Sequence, residues 1–97
     1  MIIRELPTEE RPREKLISLG SSVVSNAELL AILIGTGTKD RSALDLASAL
    51  LAAEEDGLGN LAGSTPEEIC RISGMGIAKA CRIIAAFELG RRLATRS

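Results

Sequence analysis

Between residues 26 and 89 the apolar residues recur at three- and four-residue intervals, and nowhere does the chain carry the alternating Val, Thr and aromatic runs of a strand. Such a chain buries its apolar residues by packing helix on helix, so the expected fold is all-α. The 97 residues, 45% apolar and 26% charged, suffice for a single helical domain with its own core.

Five helices are expected, packed as a bundle. The first starts near Pro12, tolerated early in a helix because its missing N–H has no partner to lose there, and it ends by Gly20. Ser25-Asn26-Ala27-Glu28 is a capping box, which places the second helix at about 26–34. Gly35-Thr36-Gly37-Thr38 stops it, and a third follows at about 42–53 with Leu44, Leu46, Ala47, Leu50 and Leu51 turned inward. Glu54-Glu55-Asp56-Gly57 ends that helix and opens an irregular connection with room for one short helical turn. Thr65-Pro66-Glu67-Glu68 is a second capping box, starting a brief fourth helix at about 66–72. The fifth runs from about Ile77 past Leu89 and is expected to bury Ile77, Ala80, Cys81, Ile84 and Phe87. Gly90 either ends it or lets another backbone come close.

Charge narrows the function classes. The net charge is −1, so any site for a polyanion must come from local charge and backbone donors. Residues 1–41 hold six acids and six bases, residues 42–69 six acids and no base, and residues 70–97 six bases and one acid, making the last third the cationic end. Arg11, Arg13 and Lys15 at the first helix are either a contact surface or a solvated face. Arg91, Arg92 and Arg96 either extend a phosphate track or complement the negative end of the last helix. Met1-Ile2-Ile3-Arg4-Glu5 lacks the pattern of a signal peptide and no apolar stretch is long enough for a membrane span, so a cytoplasmic protein is expected. Cys70 and Cys81 are expected to be small core residues, and without histidine they form no zinc set. One aromatic, Phe87, is too few for base stacking along a single strand. The chain also offers no general base with an orienting partner, so no enzyme is expected in these residues.

The residues that carry chemistry surround the last glycine pair. In Ile69-x-x-Ile72-x-Gly74-Met75-Gly76-x-x-x-Ala80-x-x-Ile83, two short apolar helical frames flank a turn with one apolar residue between glycines. The glycines permit positive φ and leave no Cβ in a phosphate's way, while Met75 tucks between the helices. A helix starting at Gly76, Ile77 and Ala78 points unpaired N–H groups outward, and Lys79 lies in its first turn. Read this way, Gly74, Met75, Gly76, Ala78 and Lys79 form a helix-hairpin-helix gripping a phosphate; the plainer reading is that two glycines merely close one helix and open the next. A degenerate copy lies upstream, where Leu30, Leu33 and Ile34 precede Gly35-Thr36-Gly37-Thr38, with Ala43 and Leu46 after it. The two would form a tandem pair related by a pseudo-twofold, unless the first is an ordinary loop. A P-loop is excluded, since residues 35–42 lack the Gly-Lys-Ser/Thr ending and follow no strand.

Taken together, Leu6-Pro7, Glu10-Arg11-Pro12-Arg13-Glu14-Lys15-Leu16, Glu28 through Ile34, Gly35-Thr36-Gly37-Thr38 and Glu88-Leu89-Gly90-Arg91-Arg92 resemble the amino-terminal domain of bacterial RadC proteins. That resemblance implies the amino-terminal part of a longer protein whose second, MPN/JAMM metallohydrolase-type domain, with its His-x-His-Pro ligands, is absent from these residues. It also implies a link to DNA repair, while the hairpin's similarity to other helix-hairpin-helix proteins implies sequence-independent binding to the DNA backbone and a monovalent cation on the turn's carbonyls as the one cofactor to consider. The Glu54-Glu55-Asp56 run would repel a phosphate track if it shared the hairpins' face. The competing expectation is a protein-interaction or dimerisation domain that positions the downstream domain. Its partners would be protein rather than DNA, and in neither reading a membrane.

Overall fold

The structure, a computed structural model, describes residues 10–53 and 57–96, and every regular element among them is helical. The expectations at Leu6-Pro7, in the first five residues and at Glu54-Glu55-Asp56 lie outside the described residues. Among the described residues six α-helices are present where five were expected: α1 (Arg11–Leu19), α2 (Asn26–Ile34), α3 (Ala43–Ala52), α4 (Gly57–Ala62), α5 (Pro66–Ile69) and α6 (Ile77–Ala94), with a 3₁₀ turn at Ser21–Val23. The added helix is α4, placed where an irregular connection was expected. Its sequence, Gly-Leu-Gly-Asn-Leu-Ala, has poor helix propensity, but Leu61 is buried in the core, so tertiary packing overrides local preference.

Local chemistry explains most of the boundaries. Both expected capping boxes form, the Glu28 amide donating to the Ser25 hydroxyl at 3.1 Å and the Glu68 amide to the Thr65 hydroxyl at 3.2 Å. A third box starts α3, where the Asp45 amide donates to the Ser42 hydroxyl and the Ser42 amide to the Asp45 carboxylate, both at 3.0 Å. Asp45 stands where the usual pattern has glutamate or glutamine. Past Ile69 the chain winds in tight turns rather than continuing α5 to residue 72, with the Arg71 and Ile72 amides donating to Glu68 and Ile69 carbonyls three residues back.

Packing centres on α2, which touches α1, α3 and α6, while α4 leans on α3 and α5 on α6. Ile34, Leu46, Ile69 and Ile83 are the largest side chains fully sealed from solvent, each contributing roughly 1.5–3 kcal/mol relative to exposure. The stripe on α6 differs from expectation. Ala80 and Ile83 are buried, and Ile84 and Phe87 pack against the core, but Ile77 is 57% exposed and Cys81 is exposed. Met75 is buried just ahead of the helix as expected, and the buried stripe on α6 itself begins at Ala80 and runs through Ile83. Cys70 is half-buried against the core, as a small apolar residue would be. Gly90 does not end the helix, which continues to Ala94.

Four carboxylates couple this architecture to pH. Glu28, Asp45 and Glu68 are each held below their ordinary values chiefly by the backbone N–H of their own capping residue. Glu88 is lowered to about 2 by hydrogen bonds from Arg91 and then Arg92. Carboxylates depressed in the folded state contribute stability fully above their ordinary values of 3.8 to 4.5 and lose it as pH falls through the lowered ones. The chain has no histidine to titrate near neutrality. The melting temperature followed by circular dichroism should therefore be flat from about pH 6 to 8 and fall steadily below about pH 4.5. A melting temperature as high at about pH 3 as at neutrality would contradict this linkage.

Candidate nucleic-acid interface

Two glycine turns meet at one end of the molecule. Gly35 closes α2 in a positive-φ conformation (+84°), its amide donating to the Ala31 carbonyl at 2.9 Å. Gly74 also has positive φ (+97°), and a Cβ there would stand 2.9 Å from Thr38 Cγ2 and 3.0 Å from Leu46 Cδ2. The second turn is thus seated directly on the first turn and on the core of α3. Arg82, from the second turn of α6, fastens the pair: its Nε donates to the Leu33 carbonyl and an Nη to the Ile34 carbonyl, both at 2.9 Å. These carbonyls end α2, where the helix dipole favours a cation. Nothing in the local sequence pattern pairs Arg82 with residues 48 and 49 positions away.

The two turns differ in what their amides face. In the first, the Thr36 amide donates to the Ile34 carbonyl at 3.1 Å and the Thr38 amide to the Arg41 carbonyl at 2.7 Å, while the Thr38 hydroxyl accepts from the Arg41 amide at 3.2 Å. Gly37 lies against the Arg41 carbonyl. The following helix carries the Ser42–Asp45 box, so a carboxylate already occupies its N-terminus. In the second turn Met75 is buried, its amide donating to the Ile72 carbonyl at 3.0 Å. Gly76 then caps α6 in an extended conformation (φ −82°, ψ 169°) with no side-chain cap. The first helical bond runs from the Ala80 amide to the Gly76 carbonyl, which leaves the amides of Ile77, Ala78 and Lys79 without an intrahelical acceptor. Gly76, Ile77 and Ala78 are exposed, and a Cβ on Gly76 would meet nothing within 4 Å.

Lys79 is half-buried rather than extended into solvent, its ammonium donating to the Gly74 carbonyl at 3.4 Å. This bears on the cation that the resemblance implied. A monovalent ion on the Gly74 oxygen would sit against the ammonium already there, so the turn's donors do not fit a resident cation.

The remaining basic residues have other partners or positions. Lys15 reaches Glu28 at 3.1 Å and ties α1 to α2. Arg91 and Arg92 both contact the Glu88 carboxylate at 2.7 Å, about 22 Å along α6 from Gly76 at the helical rise per residue. Their charge is shared with Glu88, on the exposed half of α6 away from the turn. Among the described residues no helix is long and apolar enough to cross a membrane.

The molecule is, in class, an all-helical domain whose helices join at two abutting glycine turns, one closed on itself and one open to solvent. The family described as UPF0758 N-terminal matches residues 3–81, and the chain belongs to this family, which is the RadC family. It is 55% identical over 93 residues to a UPF0758 protein of Alkaliphilus oremlandii, 58% identical over 92 residues to one of Moorella thermoacetica, and 45% identical over 93 residues to one of Clostridioides difficile. These alignments cover 95 to 96% of this chain and 40% of each relative, so the chain spans well under half the length of the proteins it matches. No solved structure matches the chain.

Proposed function

We propose that this domain is a sequence-independent DNA-binding module of the helix-hairpin-helix type, which grips one backbone phosphate at the second glycine turn. The observation that carries this reading is the bare, exposed start of α6: free amides at Ile77 and Ala78, no Cβ at Gly76 and no capping carboxylate. An anion there gains the amides and the positive end of an 18-residue helix dipole. Lys79 has two roles, bracing the turn through Gly74 and adding positive charge beside the phosphate. The first turn, whose amides and helix start are engaged internally, acts as scaffold: Thr38 and Leu46 support Gly74 rather than holding a second phosphate. Backbone contacts of this kind position a protein on a duplex without reading its sequence, which suits the role in DNA repair in the cytoplasm that the resemblance to RadC proteins and the sequence lead one to expect. In this reading the module is not itself an enzyme, and any metal-dependent hydrolysis belongs to the part of the full-length protein that lies beyond it.

The test is fluorescence anisotropy with duplexes of unrelated sequence across a salt series. Gly76→Ala places a methyl where the phosphate approaches, and Lys79→Gln removes one positive charge. Each should weaken binding by roughly tenfold, equally for all sequences, and Lys79→Gln should flatten the log-affinity against log-salt slope by about 0.9. Unchanged affinity and slope in folded variants would overturn the proposal, as would a wild-type domain that binds no DNA at low salt.

A further inference from the structure

The far end of α6 presents a different surface. Only Ala80 and Ile83 of its 18 residues are buried, both in the first half. The second half forms one wall of an open apolar groove of about 500 Å³, whose other walls are α2 and α4. Leu29, Leu33, Leu58, Phe87 and Ala94 line it, and Leu29 and Leu58 remain 37% and 38% exposed. Gly90 lies in the same wall. Glycine weakens a helix interior, yet a Cβ at Gly90 would meet nothing within 4 Å, so the packing among the described residues gives no reason for one. A glycine in an open apolar wall is what close approach by a further segment requires.

The position of the groove points to its occupant. In the relatives the matched stretch is 40% of the protein and corresponds to the family's N-terminal part, so the larger remainder follows it. That remainder leaves from the end of α6, next to Ala94 in the groove wall. A segment turning back through a short connection, as consecutive helices commonly do, would lie antiparallel to α6 along this wall. We propose that the groove is the docking seat for the segment that follows α6 in the full-length protein, with apolar side chains of that segment packed over Gly90 between Leu29 and Phe87. The seat fixes the DNA-binding domain relative to the rest of the protein. It does not depend on the phosphate reading, because Gly90 and Gly76 lie at opposite ends of α6.

Cysteine accessibility tests this. With Cys70 and Cys81 replaced by alanine, Leu29→Cys and, as a reference, Ala85→Cys are made in both the 97-residue chain and the full-length protein; Leu29 lines the groove, cysteine there is smaller than leucine and leaves Gly90 clear, and Ala85 is exposed on α6 outside the groove. The reaction rate with a maleimide is then measured for each. The expected result is that position 29 reacts about tenfold or more slowly in the full-length protein than in the 97-residue chain, because it must wait for the seat to open, while position 85 reacts alike in both. Equal rates at position 29 would overturn the proposal. Slow reaction in both proteins would also overturn it, by showing that the groove is filled from within these 97 residues. Slowing that disappears on dilution of the full-length protein would assign the groove to a second copy and overturn it as well.

Discussion

Leu46→Ala is expected to destabilise the domain by about 3 kcal/mol, within the roughly 2–5 kcal/mol range for emptying a sealed core site. Leu46 is 0% exposed, and its δ-methyls press on the second glycine turn as well as filling the centre of α3. Domains of this size have total stabilities of about 5–15 kcal/mol, so the loss should lower the melting temperature by about 12 °C or more. Urea denaturation should show an earlier midpoint with little change in slope, since the same surface is exposed on unfolding. Leu46→Met, which nearly conserves volume, should lose less than about 1.5 kcal/mol. A loss below about 1 kcal/mol for the alanine variant would mean that neighbouring side chains close the cavity and that Leu46 does not hold the turn in place.

The sequence revealed features whose cause is local. Capping boxes at Ser25 and Thr65, the Pro12 helix start and the Gly20 stop all act within four residues, and each appears where expected. The Ser42 box was missed because its acid is Asp45 rather than glutamate, although the hydrogen bonds are the same. What was not legible depends on residues far apart in the chain. The Gly-Leu-Gly-Asn-Leu-Ala stretch becomes α4 through the burial of Leu61, whereas its local pattern reads as an irregular connection with room for only one short helical turn. Ile77 falls on the apolar spacing of α6, yet it is 57% exposed beside the exposed Gly76 and Ala78.

The candidate site divides the same way. Glycines at 74 and 76 and the basic first turn of α6 are visible in sequence, but their different roles are not. Gly74 carries the positive φ and the tight contact, whereas Gly76 has ordinary extended geometry and open space around it. Nor could periodicity show that Lys79 folds back onto the turn or that Arg82 caps α2 across a gap of 48 residues. The first turn resembles the second in glycine spacing, but Thr38, Arg41 and Asp45 fill its donors and acceptors internally. Similar spacing thus produces two turns of different character: Thr36 and Thr38 of the first donate internally, while the helix that starts at the second has no side-chain cap.

That division predicts a contrast between two glycines two residues apart. Gly74→Val should destabilise the fold by about 3 kcal/mol, combining the roughly 1–2 kcal/mol of placing an L-residue in the left-handed region with the overpacking of a branched side chain. Thr38 is exposed and can rotate away from the new methyls, but Leu46 is sealed in the core and cannot yield without disturbing the packing of that core. Gly76→Ala should change stability by no more than about 0.5 kcal/mol. Alanine caps a helix less well than glycine, but it also restricts the unfolded chain, and the two effects oppose each other at a position with φ −82° and no neighbour within 4 Å. In denaturation and DNA titration of the two variants side by side, Gly74→Val should lose stability, and binding with it as the turn loosens. Gly76→Ala should keep its stability and lose binding alone. Gly76→Ala unfolding as readily as Gly74→Val would mean that the two glycines share one structural role, and that the open start of α6 is a consequence of the turn rather than a surface kept clear for a phosphate.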